Sequence, residues 1–367
     1  MHESPQGRSS RRWLPWATAG TALAVGVVVG GCTSTTTTTV SGTATSSPHA
    51  STASACQVTS VADQVIPSVV TISARGSGGG AGTGSGEVIR SDGYILTNNH
   101  VIAVAAHGGS VEVLFADGQT APATITGRDS QTDLAVLKVD TSSKLKVIAL
   151  GESSSVKVGE PTVVIGAPLG LSGTVTSGIV SALDRTIEVP AENDKSALLV
   201  SAVQTDASIN PGNSGGAMVN CAGQLIGVPT AGATVPSSSG ESSGGSIGLG
   251  FAIPVDLAKA ISDEIIATGR VTHSFFGLAT LPIPPAAAAQ AGLPEGLYVQ
   301  AVTPGGPSAT AGLQVGDVIT KINGQPATSN VQLQELTLTK KPGDTVPIDY
   351  SRDGKAASTT VTLGTQP

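Results

Sequence analysis

The stretch Asp206–Gly216, DASINPGNSGG, sets one serine, Ser214, among glycines just after a proline and an asparagine. Residues that pack so little suit two purposes: a turn that only glycine can make, or a hydroxyl that must stand clear while backbone N–H groups gather beside it. The second purpose makes Ser214 a nucleophile. Serine attacks at neutral pH only with a base in hydrogen-bond reach, and the base needs a third group to fix its tautomer. Of the five histidines, His2 and His49 lie in the N-terminal tail and stalk, which leaves His100, His107 and His273. His100 closes GYILTNNHV, a strand running into a tight polar turn, where a side chain can emerge from a rigid edge. His107 sits against Gly108 and Gly109 in a loop, and His273 falls between two folded units. Taken singly, each is more ordinary as a surface histidine than as a catalyst.

The acid is sought in the same way. Asp133 in GRDSQTDLAVLKV opens an apolar strand, so burial anchors its backbone while the carboxylate stays at the strand mouth; Asp129 just upstream suits a turn. Chain order then discriminates. GNSGG also satisfies G-x-S-x-G, the nucleophile elbow of an α/β-hydrolase, but that fold needs a helix after the serine and the acid and histidine downstream. Here GAMVNCAGQLIGVP follows, a strand–turn–strand pattern, and the best histidine and aspartate lie upstream. His100, Asp133, Ser214 is the order of chymotrypsin-like proteases, in which one barrel gives the first two and the next barrel gives the serine. An esterase of α/β-hydrolase type fails on that order.

The elements that must position these residues are short. From Val58 to about Ala252, Val/Ile/Leu/Thr runs alternate with Gly, Asp-Gly and Ser-rich punctuation, and aromatics are only 2% of the chain. Many short strands at this spacing predict an antiparallel barrel or sandwich system. The first clear helix is VDLAKAISDEIIATG, opened by Pro254 and Asp256 and ended by Gly269. A second β-rich unit runs from about Thr272 to Leu363. The run Gly76–Gly86 lacks the Lys-Ser/Thr ending of a phosphate loop and reads as a mobile strand connection. The net charge of −7, without a basic block, gives no support to nucleic-acid binding.

The N-terminus reads as a targeting segment. Arg8, Arg11 and Arg12 precede an apolar stretch from Trp13 to Gly31, so everything beyond it is expected outside the cytoplasm. Val29-Gly30-Gly31-Cys32 is similar to a bacterial lipobox, with Cys32 lipidated; an uncleaved anchor is the alternative, and SRRWL is a partial twin-arginine signal. The Thr/Ser-rich residues after it bury too little to order and read as a flexible stalk. Cys56 and Cys221 remain, either bridged or both free thiols.

GYILTNNHVI, GRDSQTDLAVLKV, GAPLG, TVTSGIVSA, QTDASINPGNSGGAMVN, GQLIGV and IGLGFAIPV, in this order behind an export signal, resemble an HtrA/Deg-type serine protease over roughly residues 58–363. The resemblance implies a mainly β fold, a chymotrypsin-like double β-barrel followed by a PDZ domain behind a membrane or lipoprotein segment. It divides the chain into 1–32 (signal or anchor), 33–57 (linker), 58–254 (protease), 255–271 (connecting helix) and 272–364 (PDZ). It implies His100 as general base, Asp133 as its orienting acid, Ser214 as nucleophile, and an oxyanion hole from the amides of Gly212, Asn213 and Ser214. A specificity pocket is expected at Ile209, Gly232 and Leu249, with loops 167–174, 207–212 and 229–245 ordering on activation. Gly232 replaces a usual apolar side chain, so a larger apolar residue should enter; Pro229 stands where Asn is common. SFFGLATL and AGLQVGDVITKINGQPA resemble a PDZ domain, with Phe275, Phe276, Gly277 and Leu278 in the loop and strand that bind a peptide carboxylate. The implied function is an ATP-independent envelope endopeptidase that cleaves unfolded or damaged proteins without a cofactor or metal. The alternative is a PDZ-containing peptide-binding, holdase-like protein with a mostly latent protease. Relatives trimerise through aromatic residues near the protease N-terminus; residues 56–75 contain none, which puts a homotrimer in question.

Overall fold

The computed structural model describes residues 56–141, 144–167, 173–190, 196–232 and 246–366. The apolar N-terminal stretch, Cys32 and the Ser/Thr-rich linker up to residue 55 lie outside them, as do residues 168–172 and 233–245 of two expected activation loops.

The described chain opens with helix α1 (Val58–Val65), whose Val61 and Val65 are buried, ahead of the first helix that the sequence marks clearly. Six strands follow: β1 (Val69–Arg75), β2 (Ala81–Val88), β3 (Tyr94–Asn98), β4 (Ser110–Leu114), β5 (Thr120–Asp129) and β6 (Leu134–Val139). They close into a barrel in the order β1-β2-β3-β6-β5-β4. Alternation points Ile72, Ile95, Val113 and Leu137 into one apolar core. Only the first half of the glycine run, Gly76–Gly80, is a strand connection; the second half is β2, paired with β1 from Val69↔Glu87 to Arg75↔Ala81. Glycine recurs there because short helix α2 (Asn99–Ile102) and the core crowd one face. A Cβ on Gly82 would lie 2.3 Å from the Val101 carbonyl oxygen, and one on Gly84 2.5 Å from Val101 Cγ2.

The second barrel uses β7 (Ala149–Leu150), β8 (Pro161–Gly166), β9 (Thr174–Pro190), β10 (Ser196–Thr205), β11 (Ala217–Val219), β12 (Gln224–Gly232) and β13 (Gly250–Pro254). The order β11-β8-β9-β10-β13-β12 closes through the β11–β12 pairing, and β7 joins β12 in parallel. Helix α3 (Val255–Thr268) ends at Gly269 with φ 78°, as its sequence predicts. Buried Ala258, Ile261 and Ile265 pack it on a cluster that takes Leu96, Leu134 and Val136 from the first barrel and Leu199, Val228 and Ile253 from the second. A disulfide joins Cys56 to Cys221, with Cα atoms 5.2 Å apart, and ties the start of α1 to the β11–β12 turn.

The C-terminal unit contains β14 (Ser274–Phe275), β15 (Leu278–Ile283), α4 (Pro285–Ala291), β16 (Gly296–Val302), α5 (Pro307–Thr310), β17 (Val318–Ile322) and β18 (Gln325–Pro326). It ends with α6 (Val331–Thr339), β19 (Thr345–Arg352), β20 (Lys355–Thr362) and β21 (Gly364–Thr365). Its main sheet runs β15-β16-β17-β19-β20, which leaves β15 at an edge. Leu297, Ile319, Val346, Ile348 and Val361 form its separate core.

Candidate active site

β3 and β6 are neighbours in the first barrel, with Asn98 opposite Leu134, so the residues just beyond their paired ends meet. His100 stands there in α2 and not in the expected turn; Asp133 immediately precedes β6. His100 Nδ1 lies 2.8 Å from Asp133 Oδ2, and the His100 amide donates to Asp133 Oδ1 at 3.0 Å. The acid is buried at 4% exposure while the imidazole remains open to solvent. Asp133 holds φ 58°, a strained backbone for a non-glycine residue. Its carbonyl oxygen accepts from the Asn99 amide at 3.0 Å and from Asn98 Nδ2 at 2.8 Å, which holds that conformation.

Ser214 comes from the second barrel, in the turn before β11. The first barrel grips that turn: the Ser85 amide on β2 donates to the Ser214 carbonyl at 2.9 Å, and Ser85 Oγ donates to the Gly212 carbonyl at 2.6 Å. Gly215 has φ 77°, and a Cβ there would come within 2.4 Å of both Ser85 O and Thr97 Oγ1. The glycine after the serine is thus a requirement of close approach. Drawing the Gly212 carbonyl toward β2 turns the N–H of the same peptide, that of Asn213, the other way. Among the described residues, the amides of Gly212 and Ser214 have no hydrogen-bond partner, whereas the Asn213 amide donates to the Asn210 carbonyl at 3.0 Å. Asn213 is therefore corrected out of the expected donor set, because its N–H already closes the turn. Ser214 Oγ donates to the Thr230 carbonyl at 3.4 Å, and no hydrogen bond joins it to His100.

Two residues at this centre escaped the sequence reading. Thr230 Oγ1 on β12 donates to Asp133 Oδ2 while the Thr230 carbonyl accepts from Ser214, so one residue touches both Asp133 and Ser214. It sits in GVPTA, noticed only for its proline. Ser85 lay inside the glycine run. His107 stays on the surface and takes no part. His273 is buried against Asp129, not in a free linker.

The three expected pocket residues gather around Gly250. Gly232 pairs with it across β12 and β13, Leu249 precedes it, and Ile209 Cδ1 lies 2.6 Å from where its Cβ would be. Ile209 is buried at 4% exposure and Leu249 is exposed at 38%. In the C-terminal unit Gly277 has φ 73° between Phe276 and the edge strand β15. The Phe276 carbonyl accepts from the amide and hydroxyl of Ser308 at 3.0 and 2.7 Å. Among the described residues the amides of Phe276 and Gly277 have no hydrogen-bond partner, and Phe275 and Leu278 flank them.

Residues 84–228 match the trypsin-like peptidase domain family and residues 270–363 match the PDZ domain family. The serine protease PepD of Mycobacterium tuberculosis is 43% identical over 314 residues, 84% of this chain and 66% of that protein. The periplasmic pH-dependent serine endoprotease DegQ of Escherichia coli is 40% identical over 287 residues, 77% of this chain and 60% of that protein. The chain thus spans less than two thirds of the length of these curated relatives. A solved HtrA-type protease, AlgW with a decapeptide, superposes with a TM-score of 0.66 at 32% identity, covering 84% of this chain and 99% of that one. Identity at this level over nearly the whole of a solved relative, with both domain families in the same order, places the chain in the HtrA-type serine protease family.

Proposed function

We propose that the protein is an ATP-independent serine endopeptidase of the cell envelope that cleaves unfolded or damaged proteins. The observation that carries this reading is the His100–Asp133 pair at 2.8 Å in one barrel, with Ser214 held on a turn of the other by Ser85. His100 Nε2 takes the Ser214 proton as Oγ adds to the scissile carbonyl, and Asp133 stabilises the imidazolium. The amides of Gly212 and Ser214 receive the oxyanion. His100 then protonates the leaving amine, and water releases the acyl group by the same steps in reverse. The resting contact of Ser214 with Thr230 must break for the hydroxyl to reach His100. Ile209, Gly232 and Leu249 give the substrate pocket an apolar character, suited to an aliphatic residue before the cut.

The PDZ unit binds peptide C-termini. Its edge strand β15 takes the peptide as an added strand, and the Phe276 and Gly277 amides receive the carboxylate. A disulfide, relatives named as periplasmic, and the arginines before Trp13 all support an extracytoplasmic location, with the apolar segment or Cys32 as membrane attachment. Among the described residues no helix is long and apolar enough to cross a membrane. The test is digestion of β-casein by the wild type and by Ser214→Ala. We expect cleavage by the first and none by a folded second; equal cleavage by both refutes the assignment.

A further inference from the structure

We propose that His273 is a positioning residue of the protease: by pairing with Asp129 it fixes the turn that presents Asp133. The proposal rests on the reading of Asp133 as catalytic acid. Asp129 ends β5 and Asp133 precedes β6, so residues 129–133 form the connection on which the acid sits. Asp129 organises that connection from within. Its Oδ1 accepts from the Gln131 amide at 3.1 Å and its Oδ2 from Thr132 Oγ1 at 2.5 Å. The turn so made delivers Asp133 in its left-handed conformation.

A carboxylate at 5% exposure needs a countercharge or several donors. Burial alone would raise its pKa; the contact with His273, the Thr132 hydroxyl and the Gln131 amide together hold it below the ordinary carboxylate range. His273 Nε2 lies 2.9 Å from Asp129 Oδ1, with the ring N–H off the hydrogen-bond axis, and is itself 7% exposed. A buried charge of this kind is not exchangeable for water, so losing His273 forces the turn to open or shift.

His273 also belongs to the other domain's root. It precedes β14, whose next residues are Phe276 and Gly277 of the carboxylate loop. The Gln366 amide donates to the His273 carbonyl at 3.0 Å, and Gln131 Nε2 donates to Gln366 Oε1 at 2.9 Å, closing a ring of contacts between the turn and the PDZ unit. The Gln131–Gln366 bond is exposed to solvent, whereas the His273–Asp129 contact is buried. The buried contact is the one that a small displacement would break at real cost, and it joins the base of the carboxylate loop to the base of the catalytic acid.

The test uses the full chain and a short fluorogenic peptide amidated at its C-terminus, so that the PDZ unit is not engaged. We expect His273→Phe to lower kcat about tenfold with KM within about twofold, since misplacing a catalytic group acts on the chemical step. His273→Gln, whose amide nitrogen reaches as far as Nε2, should restore most of that rate at a similar melting temperature. Asp129→Asn should resemble His273→Phe, and the double variant should be no slower than either single one. Wild-type kcat in His273→Phe, or losses that multiply in the double variant, would overturn the proposal. Should His273→Phe not fold, His273→Asn, which is polar but too short to reach Asp129, replaces it with the same expectations. Ser214→Ala is run alongside. Activity surviving there removes the triad reading itself, whereas an inactive Ser214→Ala beside a full-rate His273→Phe removes only this proposal.

Discussion

His100 and Asp133 reach each other from adjacent strands of one sheet, through a buried carboxylate and two hydrogen bonds. Ser214 arrives from the opposite barrel on a glycine turn held by Ser85, and its hydroxyl rests on the Thr230 carbonyl. The acid–base half is thus preassembled by sheet register. The nucleophile half depends on how the two barrels meet and on one side-chain rotation. A change within the first half should act on chemistry at constant fold, and a change behind the second should act on the fold and the barrel seam.

The largest expected effect breaks the preassembled half. Asp133→Asn should lower kcat by about 10⁴-fold with an unchanged circular dichroism spectrum, because the amide favours the wrong imidazole tautomer. Steady-state peptide kinetics check it. Behind the nucleophile half lies the Cys56–Cys221 bridge, which closes a loop of 165 residues' separation. Replacing both cysteines with alanine should cost about 2–4 kcal/mol of stability while leaving kcat at 25 °C near wild type, as measured by denaturant unfolding and the same assay. Thr230 touches both halves. Thr230→Val removes a hydrogen bond to a buried carboxylate and should lower kcat by about 10- to 100-fold with little effect on KM.

The smallest effect sharpens the view of the seam. Glu87 is fully buried on β2 opposite Val69 and Leu96, which belong to the two apolar clusters shared by the barrels, and among the described residues no side-chain hydrogen bond satisfies its carboxyl oxygens. Burial pushes its pKa well above the ordinary value. A carboxyl raised in the folded state holds its proton more tightly there than in the unfolded chain. Its contribution is therefore complete below the ordinary glutamate range and is lost as pH rises toward the elevated folded value. Glu87→Leu should gain about 1 kcal/mol at neutral pH and flatten that decline, which unfolding titrations at several pH values would reveal.

The proposed triad could be singled out because each member is marked locally: a strand end before His100, an apolar strand after Asp133, glycines around Ser214. The β-rich architecture and the α3 boundaries followed from alternation and from Gly269. What could not be read was set by distant packing. Half of the glycine run is β2, where Val101 and Ile95 leave room only for glycine on one face, which composition does not tell. Thr230 gained its place from β12 passing beneath Asp133, and His273 from the PDZ unit docking on the β5–β6 turn. Asp129, expected in a turn, ends β5 and braces the following turn with its side chain, and its buried partner lies in another domain. The Asn213 amide was expected as a donor from the family resemblance, but the turn itself consumes it.

The central claim is that His100 from one barrel activates Ser214 from the other. The most direct measurement is labelling with a fluorophosphonate, followed by mass mapping of the modified peptide. We expect a single adduct on Ser214 in the wild type, none in Ser214→Ala, and labelling slowed by orders of magnitude in His100→Ala. An adduct at another residue, or an undiminished labelling rate without His100, would contradict it.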